Sequence, residues 1–263
     1  MNRHSEIVTT DDASIETYVD GTGPDVVILP SYGRDGGADF DAFTAGLAGA
    51  GYRILRPQPR GIGQSTGPLS GVTIDDLGAD VAHVIGKLGN GPAVILGHAY
   101  GNFVARTVAT NHPEAVSAVI LAAASGRTVA PEVNSAPFRA GDPTLPEQER
   151  LAALRLAFFA PGHDPSGWLT GWYPETLRMQ HAAVTGIDVD RYWGAGDAPI
   201  LEIIAALDPF HQKAEWDALR ARFGSRVTTT IIENTSHALF PEQPGAVANA
   251  VIDYLRTLPS NGS

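Results

Sequence analysis

Ala93-Val94-Ile95-Leu96-Gly97-His98-Ala99-Tyr100-Gly101-Asn102 is the stretch on which the reading of this chain turns. Ala93 to Leu96 is a short apolar run with the composition of a buried strand. Asn102 to Asn111 carries a helical pattern that Pro113 stops. Between them stands Gly97-His98-Ala99-Tyr100-Gly101. Glycines on either side of residue 99 let a strand bend sharply into a helix, with that residue at the tip of the turn.

Working outward, the same alternation repeats. Asp25 to Leu29, Tyr52 to Leu55, Val116 to Ala123, Ile200 to Ala205 and Val227 to Ile232 read as strands. Helical patterns lie between them at Phe40 to Ala50, Lys213 to Arg222 and Gly245 to Leu258. A further helix begins after Thr73, a plausible N-cap with Asp75 and Asp76 in the first turn, and runs on the stripe Ile74, Leu77, Val81, Val84 and Leu88. Alternating strands and helices predict an α/β fold: a mostly parallel, open twisted sheet with helices on both faces. The rhythm breaks from Ser125 to Ala198, rich in Gly, Pro and aromatics, with helices at about Pro146 to Phe159 and Thr176 to Val184. That interruption reads as a helical lid (125–198) inserted into a core made of 1–124 and 199–263.

The chain's 263 residues suffice for one large domain or one domain with an inserted lid. Lys and Arg number 18 against 29 Asp and Glu, a net charge of −11. An acidic surface repels polyanions, so nucleic acid and anionic membrane are poor partners, and a small molecule is the expected one. Cysteine is absent, which excludes disulfides and thiolate chemistry. The polar start Met1-Asn2-Arg3-His4-Ser5-Glu6 has no apolar run behind it, and Val116 to Ala124 is too short to span a bilayer. The expectation is a cytoplasmic protein. Nothing fixes an oligomeric state.

Two remote residues carry chemical interest. Asp208 follows the strand Ile200 to Ala205 and precedes Pro209; ligand chemistry in open α/β sheets gathers at the carboxyl ends of strands. A turn-forming Asp-Pro is the plainer reading of the same residues. His237, in Glu233-Asn234-Thr235-Ser236-His237, comes directly after the last strand. His163, His181 and His211 have no metal-ligand spacing, so neither a metal site nor a cofactor is expected.

Gly97 to Gly101 fits G-x-S-x-G with alanine in the serine's place. Arg60-Gly61-Ile62-Gly63-Gln64-Ser65 is similar to an R-G-x-G-x-S stretch, and His237 is followed by Glu242-Gln243-Pro244. On these residues the chain resembles the α/β-hydrolase fold family over nearly its whole length. The resemblance implies Asp208 as the acid and His237 as the base, since the chain order is turn, acid, histidine. It implies an oxyanion hole from the backbone N–H groups of Tyr100 and of Tyr32, in Pro30-Ser31-Tyr32-Gly33. Pro-Ser-Tyr-Gly replaces the family's common His-Gly, and Gln58 stands where an Asp is common. In such families a cap closes over the substrate. Trp168, Trp172 and Trp193, with Phe158, Phe159, Tyr173 and Tyr192 nearby, suggest an apolar pocket in which Trp168, Trp172 and Tyr173 bind substrate; they serve equally to give a small cap its own core.

Ala99 is the severe departure. Loss of the nucleophile from a serine triad lowers kcat by about 2 × 10⁶. Three explanations stand: an esterase- or lactonase-class hydrolase inactivated by a serine-to-alanine change at position 99; an enzyme in which His237, oriented by Asp208, acts as general base on water or substrate, including lyase or cofactor-independent oxygenase chemistry; and a non-catalytic small-molecule binding protein.

Overall fold

Strand β5 (Ala93–His98) is buried along its whole length and lies inside an eight-stranded sheet. The computed structural model describes residues 4–259. The other strands are β1 (His4–Thr9), β2 (Ser14–Gly21), β3 (Asp25–Leu29), β4 (Arg53–Pro57), β6 (Val116–Ala122), β7 (Ile200–Ala205) and β8 (Val227–Ile232), in the order β1-β2-β4-β3-β5-β6-β7-β8. From β4 to β8 every pairing is parallel; β1–β2 and β2–β4 are antiparallel. The order reverses at β3, which has β4 on one side and β5 on the other. At such a switch point the loops after the two central strands diverge and open a crevice at their carboxyl ends.

Helices cover both faces. On one, α2 (Ile74–Leu88) and α3 (Gly101–Asn111) pack against Val27, Leu55, Ile95 and Val119. On the other, α1 (Asp41–Gly49) and α10 (Pro244–Leu255) pack against Ile28, Ile54, Leu96 and Ile120. Thr73 caps α2 through a reciprocal box with Asp76, as its place in the sequence predicts.

Sequence periodicity marks strands from Asp25 onward, and β1 and β2 carry no such mark. The difference has a physical cause. Along β1 only Val8 is buried, and β2 buries Glu16, Thr17 and Asp20 among its apolar residues. Glu16 accepts from the Gln64 backbone and side chain, and Asp20 pairs with buried Arg56 at 2.5 Å. Partners distant in sequence make these residues strand residues, so no local apolar alternation announces them.

The expected helix Lys213 to Arg222 is divided. A 3-10 turn (Lys213–Glu215) precedes α9 (Ala218–Phe223). Trp216 sits at the break, where its indole N–H donates back to the His211 carbonyl.

Between β6 and β7 lie α4 (Pro131–Asn134), α5 (Ala136–Ala140), α6 (Glu147–Ala157), α7 (Pro174–Val184) and α8 (Val189–Tyr192). Ala140, Leu154, Phe158, Phe159 and Trp168 form a separate small core in this segment, joined by Phe210 and Ala238. Among the described residues no helix is long and apolar enough to cross a membrane.

Candidate active site

The turn from β5 into α3 is as tight as its glycines require. A Cβ on Gly97 would lie 2.4 Å from the backbone of Gly101, and one on Gly101 would lie 2.3 Å from the Leu29 carbonyl oxygen. Ala99, at the tip, has φ of 52°, in the left-handed region that favours glycine. Its N–H donates to the Ala122 carbonyl at 3.0 Å, tying the tip to the end of β6. The Asn102 side-chain amide donates to both the Ala99 and Ala122 carbonyls, at 2.9 and 3.0 Å. Asn102 thus braces the strained residue from the first turn of α3. Ala99→Gly is expected to stabilise the fold by about 1 kcal/mol, the left-handed strain of an L-residue less the added freedom of the unfolded glycine. Denaturant unfolding of the two forms checks this; no gain would mean that the surrounding hydrogen bonds carry no strain.

The structure brings Asp208 and His237 together. His237 Nδ1 donates to the Asp208 carboxylate at 2.9 Å, and both residues are buried. The imidazole lies against Phe210, ring centres 4.2 Å apart, and meets Phe158 edge-on at 5.6 Å. The His237 carbonyl accepts from His98 Nε2 at 2.8 Å, so the residue before Ala99 is bonded to the backbone of the histidine. A carbonyl only accepts, which fixes the His98 proton on Nε2.

Burial, and then the nearby His237, push the His98 pKa down to about 3. Its folded pKa lies below the unfolded value, so its neutral form belongs to the folded state. The stability it contributes is complete above about pH 6.5 and is lost as pH falls toward the folded value, on the order of 3–5 kcal/mol in all. His98→Gln, with an amide N–H in place of the ring donor, is expected to flatten this acid limb. Melting temperatures from pH 7 to pH 4 measure it; an unchanged acid limb in the variant contradicts the assignment.

The loop after β3 is held from the segment between β6 and β7. The Gly33 N–H donates to the Gln180 side chain at 2.7 Å, and the Gly33 carbonyl accepts from the Tyr173 N–H at 2.8 Å. The rings of Tyr32 and Tyr100 lie 4.5 Å apart, and burial raises the phenol pKa of both. Trp168 is buried between Phe158 and Phe159, with its indole N–H on Asp39 and the Arg34 guanidinium over its ring. Trp172 donates to the Trp168 carbonyl and joins the same cluster. A small pocket adjoins Ala99, lined by Asn102, Phe103, Arg106, Ala124, Ser125 and Trp193. Trp193, not Trp168, Trp172 or Tyr173, is the aromatic residue of that segment on its wall.

The model of the alpha/beta hydrolase fold matches residues 24–181, more than half of the chain. The chain belongs to the α/β-hydrolase fold family. Epoxide hydrolase B of Mycobacterium tuberculosis is 30% identical over 183 residues, 67% of this chain and 46% of that protein. A pimeloyl-[acyl-carrier protein] methyl ester esterase of Aeromonas hydrophila is 27% identical over 253 residues, 88% of this chain and 94% of the relative. Curated relatives at 30% identity and above are matched over only 40% to 46% of their own length. Among solved structures, the esterase RhEst1 from Rhodococcus sp. ECU1013 superposes with a TM-score of 0.78 at 23% identity, covering 98% of this chain and 100% of that one.

Two bracing residues of this family member escape sequence reading as functional. Asn102 has no motif; only its position three residues beyond Ala99 hints at its bond to the turn. Glu242 reads merely as a mark near His237. In the structure it accepts from Thr235 Oγ1 and the Ser236 N–H, both at 2.6 Å, and from the Ala160 N–H at 2.6 Å. It therefore fixes the loop that carries His237 and anchors the segment between β6 and β7 to it.

Proposed function

We propose that this chain is a hydrolase-like enzyme acting on an ester or lactone of a small apolar molecule, with His237 as general base and no acyl-enzyme. The observation that carries the reading is the buried His237–Asp208 hydrogen bond, tied through His98 to a turn whose tip has no side-chain oxygen. Asp208 holds the imidazole in the tautomer with Nδ1 protonated, which leaves Nε2 free to accept a proton.

In this reading water enters beside the Ala99 methyl. Its oxygen bonds to the substrate carbonyl carbon as its proton passes to His237 Nε2. The carbonyl electrons move to the oxygen, where the N–H groups of Tyr32 and Tyr100 stabilise the oxyanion. On collapse the ester C–O bond breaks, and the leaving alkoxide takes the proton from His237, giving acid and alcohol. The segment between β6 and β7 acts as a lid. Its Gln180 and Tyr173 grip the loop that presents the Tyr32 amide, which couples lid position to the oxyanion hole. Curated relatives that are an esterase and an epoxide hydrolase support the reaction class. The test is hydrolysis by the chain itself on a panel of acyl esters and lactones: turnover that His237→Ala abolishes supports the reading, and turnover indifferent to that change ends it.

A second reading, a serine hydrolase that has lost its nucleophile, is favoured by the left-handed φ of Ala99. The strain of a nucleophile-bearing turn persists although alanine makes no use of it. Binding without turnover, unaffected by His237→Ala, would instead mark a small-molecule binding protein.

A further inference from the structure

Arg106 lies on α3, four residues beyond Asn102, on the wall of the pocket beside Ala99. It is 4% exposed. Its guanidinium lies over the Trp193 ring at 4.1 Å, and Nη1 donates to the Trp193 carbonyl at 2.8 Å. Among the described residues its Nε and Nη2 have no hydrogen-bond partner, and it forms no ion pair. Glu202, on β7, is the carboxylate whose field favours the Arg106 charge. Burial pushes Glu202 up to about 7, and its Oε2 is buried without a partner. A buried cation therefore borders the pocket with free N–H groups and an incomplete counter-charge, which is costly unless something supplies the negative charge. The nearby Arg127 does not share this condition: it covers a Trp193 ring at 4.0 Å but is paired with Asp190 at 2.5 Å.

We propose that Arg106 receives the carboxylate of a small monoanionic ligand in the pocket between Ala99 and Trp193. The inference rests on the proposed function in one respect: it makes the ester or lactone substrate one that carries a free acid group. Guanidinium geometry matches the two oxygens of a carboxylate. The cavity, ≈ 10 Å³, has about the room of one water, so it admits no more than the end of a ligand. That size disfavours a phosphate or sulfate, which brings further oxygens. In a chain of net charge −11, a buried cation is what makes an anion's approach favourable at this point.

Matched probes test this in the unaltered chain: benzoate against benzamide and phenylacetate against phenylacetamide, with affinities from calorimetry. The carboxylates are expected to bind tenfold or more tightly than the amides. Arg106→Met, which keeps the apolar stem, removes the difference, and Arg106→Lys retains part of it. Equal affinity within each pair, binding by neither, or a difference that survives Arg106→Met overturns the proposal. Should Arg106→Met fail to fold, Ser125→Phe fills the pocket from another wall and leaves Arg106 in place. Loss of carboxylate binding then supports the site, and retained binding overturns it. His237→Ala separates the two proposals: it abolishes turnover if the general-base reading holds and leaves carboxylate affinity unchanged. Turnover that persists there defeats the mechanism alone.

Discussion

Ala99→Ser is expected to raise hydrolysis of p-nitrophenyl acetate and butyrate by on the order of 10³–10⁶, the range set by what a serine nucleophile contributes to a triad. The substitution adds one oxygen and asks nothing new of the backbone. Residue 99 already holds φ of 52°, and the hydrogen bonds from Asn102 that brace it involve main-chain oxygens only. His237 is already bonded to Asp208 at 2.9 Å, which leaves its Nε2 as the acceptor that activation of a hydroxyl requires. The serine form should also show a burst of p-nitrophenol and covalent labelling by a fluorophosphonate, neither of which the alanine chain can give. A serine form no faster than the present chain would mean that the pocket does not accept acyl esters or that the imidazole does not reach residue 99. Either outcome removes the lapsed-nucleophile reading.

The second large effect concerns the dyad. His237→Ala is expected to lower the chain's own turnover of an accepted ester by about 10²–10⁴, the usual contribution of a positioned general base. In the Ala99→Ser background the same change should cancel nearly the whole gain, because nucleophile and base act as a unit. Asp208→Asn is expected to reduce the serine form by about 10⁴, since an amide that donates to Nδ1 selects the wrong imidazole tautomer. Steady-state kinetics of the single and double variants measure all three. If His237→Ala and Ala99→Ser act independently, so that their effects simply multiply, the imidazole does not serve residue 99.

Much of this arrangement is legible before any coordinates. The glycines of the β5–α3 turn announce a bend because backbone passes within 2.3–2.4 Å of where their Cβ atoms would be, and no other residue fits. The parallel strands β3, β5, β6 and β7 are mainly apolar, with Glu202 of β7 a buried exception, since both of their faces are covered. The edge is different. Strands β1 and β2 are mostly exposed or carry buried polar residues, and they are strands because Arg56, Gln64 and Ser65 complete them from afar. Likewise Glu242 and Asn102 are ordinary polar residues in sequence. Their role is a matter of which carbonyls and N–H groups folding brings within reach. The aromatics between β6 and β7 are ambiguous in sequence for the same reason: apolar composition says that a side chain will be covered, not by what. Trp168 is enclosed by Phe158 and Phe159, while Trp193 borders the pocket.

Periodicity and the steric demand of glycine are local properties, so the order of amino acids alone announces a parallel sheet that feeds a sharp turn with alanine at its tip. Folding alone brings Asp208 to His237 and buries Arg106 beside Ala99 with Nε and Nη2 unpaired among the described residues. Hydrogen bonding and burial depend on distance in space, and residues as far apart along the chain as Gly33 and Gln180 come within reach only when the chain folds.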